Sequence, residues 1–241
     1  MPEDRFTFPI LASGIRLLTM TAVFGVCAAR SLAQSGSTYD PQPTSLPKPE
    51  VTTIASPNYN ARTAAAVDSI VIHTTEETLA DTIDIFLDPA RQVSAHFVIA
   101  PNGDVYQMVD TRNRAWHATY YNHRSIGIEM VGYASQASTW NPENLSSLTE
   151  LLAWLLQAYP SIPLAHPPGD AYDYRDDAYR GTGLIAHAQI QPWNRSDPGR
   201  YFPWDQVLTH VAERLASVPE PSTALMTLTA VGLAIACRRR R

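Results

Sequence analysis

The chain has 241 residues, 45% of them hydrophobic and 17% charged, enough to bury the core of one domain and leave appendages. Its two cysteines, Cys27 and Cys237, lie near the ends, which excludes a disulfide framework, a cysteine nucleophile or a thiolate metal site in the middle of the chain. Residues 34–219 carry eleven Lys and Arg against twenty Asp and Glu, a balance of −9, which excludes bulk electrostatic attraction to nucleic acid or an anionic lipid face.

Residues 1–33 read as a secretory signal. Arg5 and Arg16 precede an apolar run from Leu17 to Ala29, and Ser31-Leu32-Ala33 is a small-residue cleavage site. The run has 13 residues, short of the roughly 20 that span a bilayer, so a signal is favoured over an uncleaved anchor. Residues 34–50 contain four prolines and little that is apolar; they read as an extended linker that cannot bury a core. The folded domain is then 51–217.

Within it, Ser69-Ile-Val-Ile-His73 predicts a strand covered on both faces, with His73 at the carboxyl end, where open α/β sheets bind ligands. Apolar positions 79, 83, 86 and 87 predict a helix over Leu79–Leu87. Ala95–Ala100 and Asp104–Val109 flank Pro101-Asn102-Gly103 and predict a hairpin. Arg114–Ala118 and the pair Tyr120-Tyr121 form a loop of aromatic and hydrogen-bonding groups, followed by a buried strand over Ser125–Val131. Glu129 interrupts that apolar strand, and a carboxylate there is costly unless paired or used. Asn141 caps a helix with Pro142 at its first position, and Leu145, Leu148, Leu151, Leu152, Leu155 and Leu156 give it an apolar face. After a proline-rich loop over 163–183, Leu184–His187 predicts the last strand and Trp204–Leu215 a closing helix. Strands alternating with helices, plus one hairpin, argue an α/β fold: a central mixed β-sheet flanked by helices.

The last segment, 218–241, has three parts. Val218-Pro-Glu-Pro-Ser222 precedes a 15-residue apolar run from Thr223 to Cys237, and Arg238–Arg241 close it. A short span backed by arginines is a stop-transfer arrangement. The tail resembles the PEP-CTERM sorting signal of Gram-negative bacteria. That resemblance implies export, transient anchoring in the inner membrane and processing near Pro-Glu-Pro by an exosortase-type enzyme; the alternative is a plain C-terminal anchor.

His73, Glu129 and the pair His187 and Asp197 stand at strand ends or in the loops beside them. Two histidines and a carboxylate complete a three-ligand catalytic zinc site with one position open for water, and a nearby glutamate can take the proton of that water. Scattered histidines are more often polar surface or core, and His96, His123, His166 and His210 are read in that way.

The residues resemble the zinc-dependent N-acetylmuramoyl-L-alanine amidases, the group that also holds the peptidoglycan-recognition proteins. The matching pieces are S-I-V-I-H at 69–73, S-A-H-F at 94–97, R-A-W-H-A at 114–118, S-I-G-I-E at 125–129 and H-(x7)-R-x-D-P-G from His187 to Gly199. The resemblance implies Zn2+ held by His73, His187 and Asp197, with Glu129 activating water and Trp116 and His117 lining the substrate groove. The family's usual lysine, two residues before the aspartate, is replaced by Arg195; a guanidinium keeps the charge but changes the geometry of oxyanion stabilisation. The implied activity is hydrolysis of the amide between N-acetylmuramoyl residues and L-alanine in peptidoglycan or muropeptides. The competing reading is a surface protein that binds peptidoglycan without turnover.

Overall fold

The computed structural model describes residues 40–63, 66–171 and 178–217. The expected signal at 1–33 and the tail at 218–241 lie outside the described residues, and among the described residues no helix is long and apolar enough to cross a membrane.

In chain order the elements are β1 (Thr52–Thr53), β2 (Tyr59–Ala61), β3 (Ser69–Thr74), α1 (Leu79–Leu87), β4 (Phe97–Ile99), β5 (Val105–Gln107), β6 (Asn113–Ala115), β7 (Ser125–Met130), α2 (Pro142–Ala158), β8 (Gly183–Ala186), the single turn α3 (His187–Ile190) and α4 (Trp204–Ala216). A 3₁₀ segment, Thr119–Arg124, leads into β7. The main sheet runs β1-β5-β4-β7-β3-β8, while β2 and β6 pair separately. β3 lies parallel to both β7 and β8, and β4 lies parallel to β7 but antiparallel to β5. The sheet is therefore mixed, with the expected hairpin formed by β4 and β5 and β1 at the edge beyond it.

Alternation along the central strands sorts the layers. Ile70 and Ile72 of β3 and Ile126 and Ile128 of β7 join Leu148, Leu151, Leu152 and Leu155 of α2 and Val207 and Val211 of α4 in one cluster. On the other face, Val71 packs with Ala118, Tyr121, Ile185 and Ile190, and α1 covers the β4 side through Phe86, Val98 and Met108. The start of α2 is set as the sequence reads: Asn141 and Asn144 exchange side-chain to backbone bonds in a capping box, with Pro142 first in the helix.

Three features depart from the expectations. β1, β2 and β6 were not foreseen, because segments of two or three residues carry no periodic signal. The final strand stops at Ala186, and His187 opens a turn of helix instead of ending the strand. The Gln189 side-chain oxygen accepts the Ala186 N–H at 3.0 Å and so closes the turn. Residues 40–50 take no regular structure, as their prolines dictate, yet they lie along α2. The Gln42 N–H donates to the Ala158 carbonyl at 2.7 Å, Ser45 and Leu46 donate to Gln157 Oε1 at 3.1 and 3.0 Å, and Leu46 packs on the core edge.

Leu151 sits at 0% exposure where α2 meets the sheet. Leu151→Ala is expected to lower the unfolding free energy by about 2–5 kcal/mol, measured by urea denaturation. A loss below about 1 kcal/mol would mean that the cluster is not packed as described.

Candidate metal centre

Parallel pairing of β3 and β7 sets His73 directly beside Glu129, and paired residues of adjacent strands point to the same face. His73 Nδ1 and Glu129 Oε1 are 4.0 Å apart. β8, on the other side of β3, delivers His187 at the same sheet end. Asp197 folds back from the following loop, where its carbonyl accepts the Ala188 N–H at 2.9 Å. Gly199, two residues on, has φ +83° and packs against the Ala134 backbone where a Cβ would collide, so only glycine closes this turn.

The result is a compact triangle. His73 Nδ1 lies 2.9 Å from His187 Nδ1, and Asp197 Oδ2 lies 3.1 Å from each. All three residues are buried, and this His-His-Asp group could hold a metal ion.

The hydrogen bonds outside the triangle decide where its protons are. Ser125 Oγ donates to the Tyr121 carbonyl at 2.9 Å, which leaves it to accept from His117 Nε2 at 3.3 Å. His117 Nδ1 is then the acceptor for His73 Nε2–H at 3.0 Å. His187 Nε2 likewise faces the side-chain oxygen of Gln191 at 2.9 Å. With both Nε2 atoms protonated by this assignment, both Nδ1 atoms carry lone pairs. Three acceptors then face one another with no proton to share, an arrangement that a bound cation would satisfy. Zinc bonds of about 2.0–2.1 Å at tetrahedral angles separate ligand atoms by about 3.3 Å, so the donor set fits zinc with a few tenths of an ångström of expansion.

Burial and the neighbouring His187 hold the His73 imidazole down at about 4, and burial, with His73 beside it, pushes His117 well below its ordinary value. Both rings are thus neutral near pH 7, His73 as ligation requires and His117 as its acceptor role requires. Glu129 moves the other way: burial and the charge of Asp197 raise its carboxyl well above the usual range. Glu129 Oε2 is buried without a hydrogen-bond partner.

A cavity of about 300 Å³ opens over the triangle, lined by Glu129, Arg195, Trp116, His117, Val93 and Glu77 among others. Arg195 is exposed and its Nη1 donates to the Asn194 carbonyl at 3.1 Å, so the guanidinium borders the cavity without touching the triangle. Trp116 is held by its Nε1–H donating to Asn60 Oδ1 at 2.7 Å. All seven residues singled out in the sequence therefore border one cavity. His117, expected to line a groove, also supports His73. Sequence reading missed Ser125, Gly127 and Gln191; for Gln191 the available signal was its spacing of four residues from His187.

Residues 63–200 match the sequence profile of the family described as N-acetylmuramoyl-L-alanine amidase, and residues 217–241 match the PEP-CTERM protein-sorting motif. The chain is 32% identical over 156 residues to N-acetylmuramoyl-L-alanine amidase A of Achromobacter lyticus, across 62% of this chain and 85% of that protein. It is 31% identical over 128 residues to the 1,6-anhydro-N-acetylmuramyl-L-alanine amidase AmpD of Haemophilus influenzae, across 50% of this chain and 59% of that protein. Among solved structures, a selenomethionine AmpD derivative aligns with a TM-score of 0.54 at 23% identity, covering 67% of this chain and 94% of that one. Staphylococcus aureus AmiA, solved with its ligand, aligns with a TM-score of 0.52 at 18% identity, covering 73% of this chain and 93% of that one. These two likenesses are of fold.

The His117 ring occupies the space over Gly127, where an added Cβ would lie 2.6 Å from the ring carbon Cγ. Gly127→Ala is therefore expected to displace His117 and destabilise the domain by about 1–3 kcal/mol. Thermal unfolding measures the loss, and an unchanged melting temperature would contradict this packing.

Proposed function

The chain belongs to the N-acetylmuramoyl-L-alanine amidase family, and on that premise we propose that it hydrolyses the amide between N-acetylmuramoyl residues and L-alanine in peptidoglycan or muropeptides, with zinc held by His73, His187 and Asp197. The observation that carries the reading is the triangle of three acceptor atoms 2.9–3.1 Å apart, set in a cavity beside the half-buried Glu129. A zinc ion there supplies Lewis-acid chemistry and lowers the pKa of water toward neutrality.

The residues around it do the remaining work. Glu129 takes the proton of the attacking water on its carboxylate and passes it to the departing amine nitrogen of L-alanine. A carboxyl raised by burial is suited to that return, because it gives up a proton to an amine yet holds one long enough to transfer. Arg195 places positive charge at the cavity rim, where negative charge develops on the scissile carbonyl oxygen. Trp116 offers a fixed aromatic edge to the substrate, and His117 presents its ring beside it while keeping His73 oriented. A protein that only bound peptidoglycan would need neither a lone-pair triangle nor a half-buried carboxylate next to it.

The match of 217–241 to the PEP-CTERM motif supports export and association with the membrane or surface. Transient anchoring in the inner membrane and exosortase-type cleavage near Pro219-Glu220-Pro221 belong to the same proposal.

Glu129→Gln is expected to lower kcat on a muramoyl-L-alanyl peptide by about 10²–10⁴-fold while zinc content, read by atomic absorption, stays at the wild-type value. Release of free N-terminal L-alanine reports turnover. Chelation should abolish that release and added zinc restore it; hydrolysis that persists in a verified metal-free sample would overturn the mechanism.

A further inference from the structure

The support of the two histidines is unequal. His73 rests on a relay of three groups, whereas His187 rests on one, the side-chain amide of Gln191. We propose that Gln191 is the positioning residue that makes His187 a metal ligand through Nδ1. The inference rests on the zinc reading of this site.

Gln191 caps the turn that His187 opens, and its N–H donates to the His187 carbonyl at 3.1 Å. Residues four apart on a helical turn stack one above the other, so the amide of Gln191 reaches the outer edge of the imidazole. Gln191 is 7% exposed, and its Oε1 lies 2.9 Å from His187 Nε2. The orientation of the amide is consistent with its other end, where Nε2 faces Asn194 Oδ1 at 3.5 Å. An acceptor at Nε2 puts the ring proton there and turns the Nδ1 lone pair inward.

The turn itself is held on both sides. The Ala188 N–H donates to the Asp197 carbonyl at 2.9 Å, and Gln189 Nε2 donates to the carbonyls of Pro167 at 2.8 Å and Gly169 at 2.9 Å. Gln191 also acts through its main chain. Its carbonyl accepts the N–H groups of Asn194 at 3.1 Å and Arg195 at 2.9 Å, fixing the turn from which the guanidinium leaves. One residue thus sets a ligand with its side chain and the start of the cationic arm with its backbone.

The neutral amide matters as much as its position. Asp197 and Glu129 already place two carboxylates around the metal position. A third anion, hydrogen-bonded to His187, would make the imidazole a stronger donor and the metal a weaker Lewis acid. Glutamine fixes the ring without that cost.

The test uses the full chain and zinc itself. Wild type, Gln191→Leu, Gln191→Met and Gln191→Glu are compared by competition with a chromophoric chelator and by nitrogen-15 shifts of the zinc-loaded histidine rings. Wild type should show His187 protonated at Nε2 and metal-bound at Nδ1. The Leu and Met variants should bind zinc about 10–100-fold more weakly at a nearly unchanged melting temperature. The Glu variant should restore zinc binding to the wild-type level or tighter, with a lower kcat. Wild-type zinc affinity in both Leu and Met variants, or a Glu variant as weak as they are, overturns the proposal and leaves the zinc reading standing. Zinc binding by wild type that is no stronger than that of His187→Ala overturns both.

Discussion

Three lone-pair acceptors held within 3.1 Å of one another are the constraint on which this domain depends. Such an arrangement repels itself unless a cation or a proton is shared, and the surrounding hydrogen bonds have placed the protons on the outside. The energy to hold it comes from elsewhere, chiefly from an apolar cluster built by α2, α4 and the central strands. Each of the three residues sits where the backbone has no freedom left: the end of a paired strand, the first residue of a capped turn, and a loop closed on glycine.

The parallel register of β3 and β7 does more than place His73 beside Glu129. It stacks Ser125, Gly127 and Glu129 on one face of β7. The glycine between the serine and the glutamate leaves a hole the size of an imidazole, and His117 fills it. From there one nitrogen serves His73 and the other Ser125. His96 anchors the same spot from below, where its Nδ1 accepts the Gly127 N–H at 2.9 Å. Its buried ring meets the Arg62 guanidinium at 3.1 Å, a structural role matching its reading from the sequence.

Charge is distributed with the same economy. The domain segment is acidic by nine charges, yet the cavity rim carries a guanidinium whose Nη1 donates to the Asn194 carbonyl. Burial and Asp197 raise the pKa of Glu129 while Arg195 lowers it, so the rim cation moderates the carboxyl beside it. A longer and flatter cation than lysine is accommodated because the turn that bears it is exposed.

Much of this was legible in the chain before folding. The 3.6-residue spacing of leucines, the Asn141-Pro142 start and the buried runs ending in His73 and Glu129 follow from local chemistry, and the histidines, glutamate and aspartate stand out as polar groups where apolar ones belong. The absence of cysteine from the domain restricted the donors to nitrogen and oxygen. What the chain alone left open were relations between segments far apart in sequence: the strand order, the packing of residues 40–50 on α2, the direction of each imidazole proton, and the support from Ser125 and Gln191. Local propensity carries no signal for these, since a serine, a glycine or a glutamine joins this cluster only when strand pairing and turn closure bring it within hydrogen-bond reach. The sequence by itself determined which atoms are available as ligands, and the tertiary structure decided which lone pairs point inward.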